Sequence, residues 1–449
     1  MSQPVTRYKS CPQRDRALLV FTCLLLAIAC DSSEKETRPS PHPNVLLFVV
    51  DSLRADHRHG YGYAGQTSPA FDRLAREGAR FESALAPTSL GLSSLVTLLT
   101  SLPPELHRVN RNDLGLSDEA LTLPEVLREA GFATAAVVAG LGLEPDRGLA
   151  QGFDAYHHVS GPEIDRAAES WLTQWDRAGR VDPFFLLVHT PLSPREDERV
   201  AKSSEATDSK DLLSQEMSKA EGALARYDRA IRRADAQLDR ILKKLDALEI
   251  TNETLIVATS SHGEEFLERG HLGHGKSLHG ESVRVPLLVR FPRLIDAGKI
   301  VVRPARLMDI GSTILMLSRT RLPAEFGFQH DSVGYAIRDL TEFLVGEWNG
   351  KESVIGADLP GISQSLRQGS YKLIRLSNGR SNGDGSDRDE IKDGDTFMFF
   401  NIEHDPEEQH DLSDSESRRA AVYLEKLRDW RNACVDPRRF ARPYPDPES

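Results

Sequence analysis

Two apolar runs in this chain each end in a residue that could do chemistry. Asn44 to Val50 leads into Asp51, and Thr254 to Thr259 leads into Ser260, Ser261, His262 and Gly263. Short apolar runs of this kind read as buried parallel strands, and ligands of open α/β sheets gather beyond the carboxyl ends of such strands. Asp51 and His262 are therefore expected to face one pocket. A hard cation held there would ask for about six to eight oxygen ligands. The neighbouring positions supply few. Ser52 follows Asp51 and two serines precede His262, so only Asp51 and His262 remain as strong ligand candidates.

The elements that must carry these residues alternate along the chain. Ser68-Pro69 with Asp72 opens an amphipathic helix that turns Phe71 and Leu74 inward, and Gly78 is expected to end it as a C-cap. Pro124 to Gly131 repeats that arrangement. A strand is predicted at Ala133 to Val138, a helix at Glu163 to Arg177, and a buried strand at Phe184 to Val188 that delivers His189. Ser193 to Ser218 is charged and weakly periodic, so a surface excursion is expected there. It leads into a helix of about Lys219 to Leu248, with Leu224, Ile231, Leu238, Ile241, Leu242 and Leu245 on one face.

Past a core helix at Met308 to Leu317 the pattern shifts to short β-like runs at Ser353 to Ile355, Tyr371 to Leu376 and Phe397 to Ile402. Gly, Asn, Asp and Ser crowd Ser377 to Asp395, which reads as a long hairpin loop. Ser415 to Cys434 is expected to close this part with a helix. The chain thus divides into an α/β domain over 43–325 and a smaller C-terminal β subdomain with a terminal helix over 326–449.

At 449 residues and 39% hydrophobic content, the chain can bury one large core and a smaller one. Its formal charge of −12, with no basic run interleaved with aromatics, argues against nucleic acid as a partner. Lys9, Arg14 and Arg16 precede the apolar stretch Ala17 to Ala29, which is short for a membrane span but suited to a signal-peptide core. Ala27-Ile28-Ala29-Cys30 resembles a bacterial lipoprotein box, with Ala27 where leucine is usual. Residues 1–30 are accordingly expected to be a lipoprotein-type signal peptide and Cys30 the lipid anchor of the mature chain. Ordinary signal cleavage or an uncleaved anchor is the plainer alternative. The expected location is a membrane surface facing the periplasm or the cell exterior. With Cys11 and Cys23 in the signal and Cys30 lipidated, only Cys434 remains, so no intramolecular disulfide is expected. Residues 31–42 read as a flexible tether.

Longer motifs carry a resemblance. Pro43 to His57, Tyr61-Gly62-Tyr63, Ser68 to Gly78, Gly263-Glu264 through Gly270-His-Leu-Gly-His-Gly-Lys-Ser277, and Arg284 to Arg290 together resemble the sulfatase family of the alkaline-phosphatase-like superfamily. Tyr371 to Arg375 and Asn401 to Gln409, with Leu412, are similar to that family's C-terminal β unit. The resemblance implies an α/β fold: a large mixed, mostly parallel sheet flanked by helices, with a smaller C-terminal β subdomain.

It also implies a site, and the site is degenerate. The family nucleophile is a cysteine, or sometimes a serine, converted to formylglycine within Cys/Ser-x-Pro-Ser-Arg and followed by a helix ending in Leu-Thr-Gly. Setting Leu99-Thr100-Ser101 on Leu-Thr-Gly without gaps puts Gly91 at the nucleophile, Ser93 at the proline, Ser94 at the serine and Leu95 at the arginine. Formylglycine offers a metal-activated oxygen and then releases sulfate by elimination; glycine can do neither. The family's metal ligands map to Asp51, Ser52, Gly91, Ser261 and His262. Many relatives already lack a carboxylate at the Ser52 position. Ser261 replaces an aspartate, and a neutral hydroxyl is a poor ligand for Ca²⁺ or Mg²⁺.

His107, His189, His274 and Lys276 stand where active relatives contact the sulfate or the leaving group. A fixed cation and titrating donors suit those roles, and here they could still bind an anion. The plainer alternative is that each histidine satisfies backbone groups at an element's end. Beyond His189 the family shows Asp-Pro-His, whereas this chain has Pro191-Leu-Ser-Pro-Arg195. His57 and His59, with Tyr61 to Tyr63, could rim the pocket, although loop histidines more often face solvent. Glu264 and Glu265 diverge as sequence neighbours and cannot easily share a proton.

Two functional readings follow. In the first, the chain is an exported, catalytically impaired sulfatase-family protein that needs no metal and binds a sulfated or phosphorylated ligand, or a partner protein, through the old pocket. In the second, Ser89, Ser93 or Ser94 replaces the nucleophile after a local shift, giving a working Ca²⁺- or Mg²⁺-dependent hydrolase of sulfuric or phosphoric esters. The placement of Gly91 and of these serines relative to Asp51 and His262 discriminates between them.

Overall fold

The computed structural model describes residues 42–111, 114–192, 212–327, 338–345, 355–359, 363–377, 394–434 and 441–443. The expected signal peptide, Cys30 and the tether as far as residue 41 lie outside the described residues, as do 193–211 of the expected excursion and 378–393 of the expected hairpin loop.

In chain order, β1 (Asn44–Asp51) is followed by α1 (Pro69–Glu77), β2 (Ala79–Leu85), α2 (Gly91–Thr100), α3 (Pro104–His107), β3 (Leu114–Leu116) and α4 (Leu123–Glu129). Next come β4 (Ala133–Val138), β5 (Ala155–His158), α5 (Ile164–Arg177), β6 (Phe184–Pro191), α6 (Leu212–Ala247) and β7 (Thr254–Ser260). A small ribbon of β8 (Glu265–Phe266) and β9 (Leu272–Gly273) leads through α7 (Gly280–Val283) to β10 (Arg284–Arg290), β11 (Lys299–Val301), β12 (Ala305–Arg306) and α8 (Asp309–Leu317). The C-terminal part holds α9 (Thr341–Val345), β13 (Ile355–Leu359), β14 (Ser363–Gln368), β15 (Tyr371–Leu376), β16 (Thr396–Asn401), α10 (Ser417–Ala433) and β17 (Ala441–Pro443).

The large sheet runs in the order β11-β2-β10-β7-β1-β6-β4-β5, with β12 also paired to β2. Its pairings are parallel except where β10 lies antiparallel to β2 and to β7. β1 is central because it is apolar on both faces. Val45, Leu47 and Val49 join the core beneath α2, α4 and α8, while Leu46, Phe48 and Val50 join the core beneath α1, α5 and α6. Each such side chain contributes roughly 1.5–3 kcal/mol by leaving water. That double burial explains a continuous apolar run in place of an alternating one. In register, Val50 pairs with Ser260, Val49 with His189 and Asp51 with Pro191, so all three functional strand ends emerge at one edge.

The C-terminal sheet is antiparallel, in the order β13-β14-β15-β16. α10 covers it through Tyr423, Leu427 and Trp430, and Gly356 is required under the indole, because a Cβ there would lie 2.3 Å from Trp430. Leu366, Leu373 and Phe399 of this sheet belong to the same apolar cluster as Leu98 and Ile314 of the larger part.

Gly78 ends α1 as its C-cap, and it is glycine because a Cβ would lie 2.4 Å from Val289 O of β10. Three local expectations change. α6 starts at Leu212, seven residues before the expected Lys219. β14 went unforeseen because its sequence, Ser-Gln-Ser-Leu-Arg-Gln, is polar; its buried Gln364 accepts a hydrogen bond from Arg375 at 2.7 Å. His57 is buried rather than solvent-facing, packed against Tyr63, Tyr227 and Phe266.

Candidate functional site

Three strand ends and one helix start converge on Asp51. The junction of β1 and β7 is tied by Ser260: Leu53 N donates to its hydroxyl at 2.8 Å, and the hydroxyl lies 2.7 Å from both Val50 O and His262 O. Ser260 is thus structural. Ser52 turns the chain out of β1 in the left-handed region (φ 63°), a conformation costly for a residue with a Cβ. Tyr227 from α6 pins that turn, donating to Ser52 O at 2.6 Å and accepting from Arg54 N at 2.8 Å.

Gly91 is the first residue of α2 and points at this junction. A Cβ built on it would lie 2.8 Å from Asp51 Oδ1, 3.3 Å from Asp51 Oδ2 and 3.3 Å from His262 Nε2. Gly91 therefore faces Asp51 and His262, the two ligand candidates of the sequence, and brings no side chain to them. The Asp51 carboxylate occupies the volume beside it, at the N-terminal end of α2, where the helix dipole favours negative charge.

Asp51 is held by its neighbours. The Ser261 hydroxyl donates to Oδ1, and His262 Nε2 sits 3.3 Å from the same oxygen. His262 Nδ1 donates to Gly263 O at 2.6 Å, which aims Nε2 at the carboxylate. Burial works against a charged Asp51, yet the nearby His262, then His189 and the Ser261 hydroxyl, hold its pKa far below the carboxylate range. Burial likewise opposes a charged His262, and the Asp51 carboxylate outweighs it and raises the imidazole's pKa. The Asp51 carboxylate thereby favours the protonated form of His262.

The hairpin between β7 and β10 supplies the rim. Gly263 begins it where a Cβ would lie 2.0 Å from Glu281 O, so the crossing admits only glycine. His274 stacks near His262, with ring centroids 4.4 Å apart, and its Nδ1 lies 3.1 Å from Glu264 Oε2. Lys276 is exposed, its ammonium 3.5 Å from Leu272 O. Gly275, left-handed at φ 76°, brings this loop against Leu90, the residue before Gly91. Glu265 points the opposite way from Glu264 and accepts from Ser277 and Ser282, each at 2.8 Å. The role of Glu264 as the partner of His274 was not assigned from sequence, where only its place in the Gly263-Glu264 motif marked it.

The other candidates divide. His189 donates from Nδ1 to Ala139 O at 3.0 Å and keeps a buried Nε2 with no hydrogen-bond partner among the described residues; burial lowers its pKa, and its imidazole acts electrostatically on Asp51. His107 stands apart. Val109 N donates to its Nδ1 at 3.0 Å, its Nε2 lies 3.1 Å from Thr97 Oγ1, and burial pushes its pKa down to about 3. Both nitrogens are thereby engaged inside the fold, the plainer of the two expectations for this residue. Ser94 donates to Thr88 O at 3.3 Å. Ser93, two residues along α2, lies about 200° around the helix from Gly91. Ser89 and Ser93 are buried, and their hydroxyls have no partner among the described residues.

This donor set does not fit a hard divalent cation. Asp51 is the carboxylate that meets His262 and Ser261, Gly91 contributes no side-chain atom, and Ser261 is a neutral hydroxyl already bonded to Asp51. Among the described residues, no group of three or more His, Cys, Asp or Glu side chains is arranged to hold a metal ion. Nor is any described helix long and apolar enough to cross a membrane.

Comparison with known proteins agrees with this architecture. The ulvan-active sulfatase of Formosa agariphila is 26% identical over 357 residues, covering 69% of this chain and 68% of that protein. Mouse steryl-sulfatase is 25% identical over 420 residues, covering 69% and 67%. Canine N-acetylgalactosamine-6-sulfatase is 24% identical over 355 residues, covering 67% of each. Among solved structures, a 2-O GAG sulfatase superposes with a TM-score of 0.70 at 16% identity, covering 88% of this chain and 93% of that one. The phosphonate monoester hydrolase of Agrobacterium radiobacter gives 0.64 at 19%, covering 88% and 96%. The sulfatase family model matches residues 43–319, more than half of the sequence. The chain belongs to the sulfatase family.

Proposed function

We propose that this protein is a catalytically impaired member of its family, an exported lipoprotein anchored through Cys30, whose pocket binds a sulfated or phosphorylated ligand without a resident divalent cation. One observation carries the reading. The position that faces both Asp51 and His262 is Gly91, and Asp51 leans into the space a nucleophile would need. Ester cleavage requires an activated nucleophile. The hydroxyl on Asp51 is that of Ser261, and a carboxylate whose pKa lies far below neutral is too weak a base to activate it. A serine nucleophile is disfavoured at Ser93 by helical phase and at Ser94 by its bond to Thr88 O.

Binding asks less of the site than turnover does. His274 lies against His262, and the exposed Lys276 follows two residues later on the same hairpin, a cation and an imidazole of the kind that suits an oxyanion. The relatives named for ulvan and N-acetylgalactosamine 6-sulfate make sulfated carbohydrate the first ligand class to test.

The deciding experiment is an assay of the purified protein against aryl sulfates and phosphate esters with added Ca²⁺ or Mg²⁺, alongside calorimetric titration with inorganic sulfate and sulfated monosaccharides. Wild type is expected to show no turnover and to bind a sulfated ligand, with Lys276→Met weakening binding by about tenfold, the worth of one charge-assisted contact. Metal-dependent turnover abolished by Ser89→Ala, Ser93→Ala or Ser261→Ala in folded protein would overturn the reading.

A further inference from the structure

Glu264, His274 and Lys276 all lie on the hairpin of residues 263–282. Its neck is fixed by the large sheet's own connections, with Gly263 N donating to Ser282 O at 2.8 Å and Glu264 N to Glu281 O at 3.0 Å. Its body is held by the C-terminal unit. Arg269 donates to Glu408 O at 3.1 Å and to Glu407 O at 2.5 Å, and also pairs with Glu281 at 2.8 Å. On the exit side, Lys372 of β15 donates to Leu278 O at 2.7 Å and to Glu408 Oε1 at 2.8 Å. His279 packs against Phe400 of β16, with ring centroids 5.9 Å apart.

The Lys372–Glu408 pair is an expensive way to join two surfaces. Its side chains are 3% and 2% exposed, Glu408 Oε2 has no hydrogen-bond partner among the described residues, and burial raises the Glu408 pKa against the pull of Lys372. A buried pair of this kind adds little net stability over an apolar pair of similar size. What it fixes is position: the pair and Arg269 grip the hairpin at Leu278 and at residues 407–408, on either side of the segment that carries His274 and Lys276. Buried charge pairs are best attested as devices of register.

We infer that Lys372, Glu408 and Arg269 are positioning residues for the anion-facing hairpin, so that the C-terminal β unit sets the placement of His274 and Lys276 at the pocket. The inference rests on the anion-binding reading for its ligand, though not for its geometry. The short turn at Asp405–Gln409 is then a support of the hairpin and not merely the connection from β16 to α10.

The test uses the mature protein and four variants: Lys372→Met with Glu408→Leu, Arg269→Gln, Glu408→Ala and Glu408→Gln. Two quantities are read, hydrogen–deuterium exchange across 264–276 and affinity for inorganic sulfate by calorimetry. In the double variant and in Arg269→Gln, exchange at Leu267 and Gly270, whose amides bond within the hairpin, should quicken by about tenfold, with the strands of the large sheet unchanged. Sulfate affinity should fall by about fivefold to tenfold in the same variants. Glu408→Gln keeps an acceptor for Lys372 and should stay near wild type, whereas Glu408→Ala should not. If the double variant does not fold, Arg269→Gln alone decides. Wild-type exchange and affinity in a folded Arg269→Gln or double variant would overturn the inference. A wild type that binds no sulfate, with exchange still responding, would remove the anion reading and leave the positioning role standing.

Discussion

The carboxylate of Asp51 and the backbone of Gly91 share a space too small for a methyl group: a Cβ on Gly91 would come within 2.8 Å of Oδ1. Asp51 cannot simply swing clear, because Ser261 and His262 hold that same oxygen. The absent side chain at Gly91 and the placement of Asp51 are thus geometrically coupled.

Gly91→Ala should therefore destabilise the protein by about 1–3 kcal/mol, the range for forcing an extra methyl into a packed site. The cost should shrink when Asp51 is also replaced by Ala. Chemical denaturation of the four members of this cycle measures the coupling. Additive effects of the two substitutions would show that the contact carries no strain.

The metal prediction uses Ser261. Wild type should melt at the same temperature with chelator or with millimolar Ca²⁺, since a ligand that binds only the native state would raise stability by mass action. Ser261→Asp sets a second carboxylate against Asp51 and should lower stability. Ca²⁺ should restore it, because a cation between two carboxylates removes the repulsion. A stoichiometric divalent ion in purified wild type, detected by elemental analysis, would contradict the reading.

The pH response should have two opposite components. His107 and His279 both have pKa values near 3, pushed down first by burial and, for His279, by Lys372 and Arg269. The native state refuses their protons, so their contribution to stability is complete above about pH 6.5 and is lost between there and about pH 3, at roughly 1.4 kcal/mol per histidine per pH unit. His262 is raised instead. Its contribution is complete below about pH 6.5 and lost as pH climbs through its folded pKa, while that of Asp51 is present above about pH 4 and lost only in stronger acid. Denaturation of wild type and His262→Gln at several pH values should show the gap between them narrowing above pH 6.5. A gap that widens in alkali would refute the preference for a protonated His262.

Location is tested at Cys30. Wild type should partition with membranes and carry a lipid-modified Cys30 by mass spectrometry, and Cys30→Ala should release the protein or block its processing. A soluble mature wild type with an unmodified N-terminus would remove the anchor.

Much of the site was legible because its residues sit at the ends of strands. Apolar runs name β1, β7 and β6 directly, and strand ends deliver Asp51, His262 and His189 to one edge without further information. The gap-free reading of α2 placed Gly91 for the same reason, since a helix preserves spacing. What stayed hidden depends on approach between distant segments. Burial of His57 needs Tyr63, Tyr227 and Phe266 from three stretches of chain, and the close fit that fixes Gly78 is set by β10, more than two hundred residues away. β14 was hidden because its polar side chains find their partners only after the sheet forms. Likewise, nothing local to His107 announces that Thr97 and Val109 occupy both of its nitrogens.

Gly263 passes beneath Glu281 O at a distance no other residue allows, and two backbone hydrogen bonds seal the crossing. A neck closed by main-chain atoms keeps its shape whatever side chains lie beyond it. The segment from Glu265 to Gly280 therefore hangs from a neck whose closure does not depend on that segment's own side chains, so the alignment of Asp51 and His262 is insulated from changes at its tip. Grafting the corresponding hairpin of another family member between Glu264 and Glu281 should transplant ligand preference without refolding the sheet, provided the graft keeps an arginine for the carbonyls at 407 and 408.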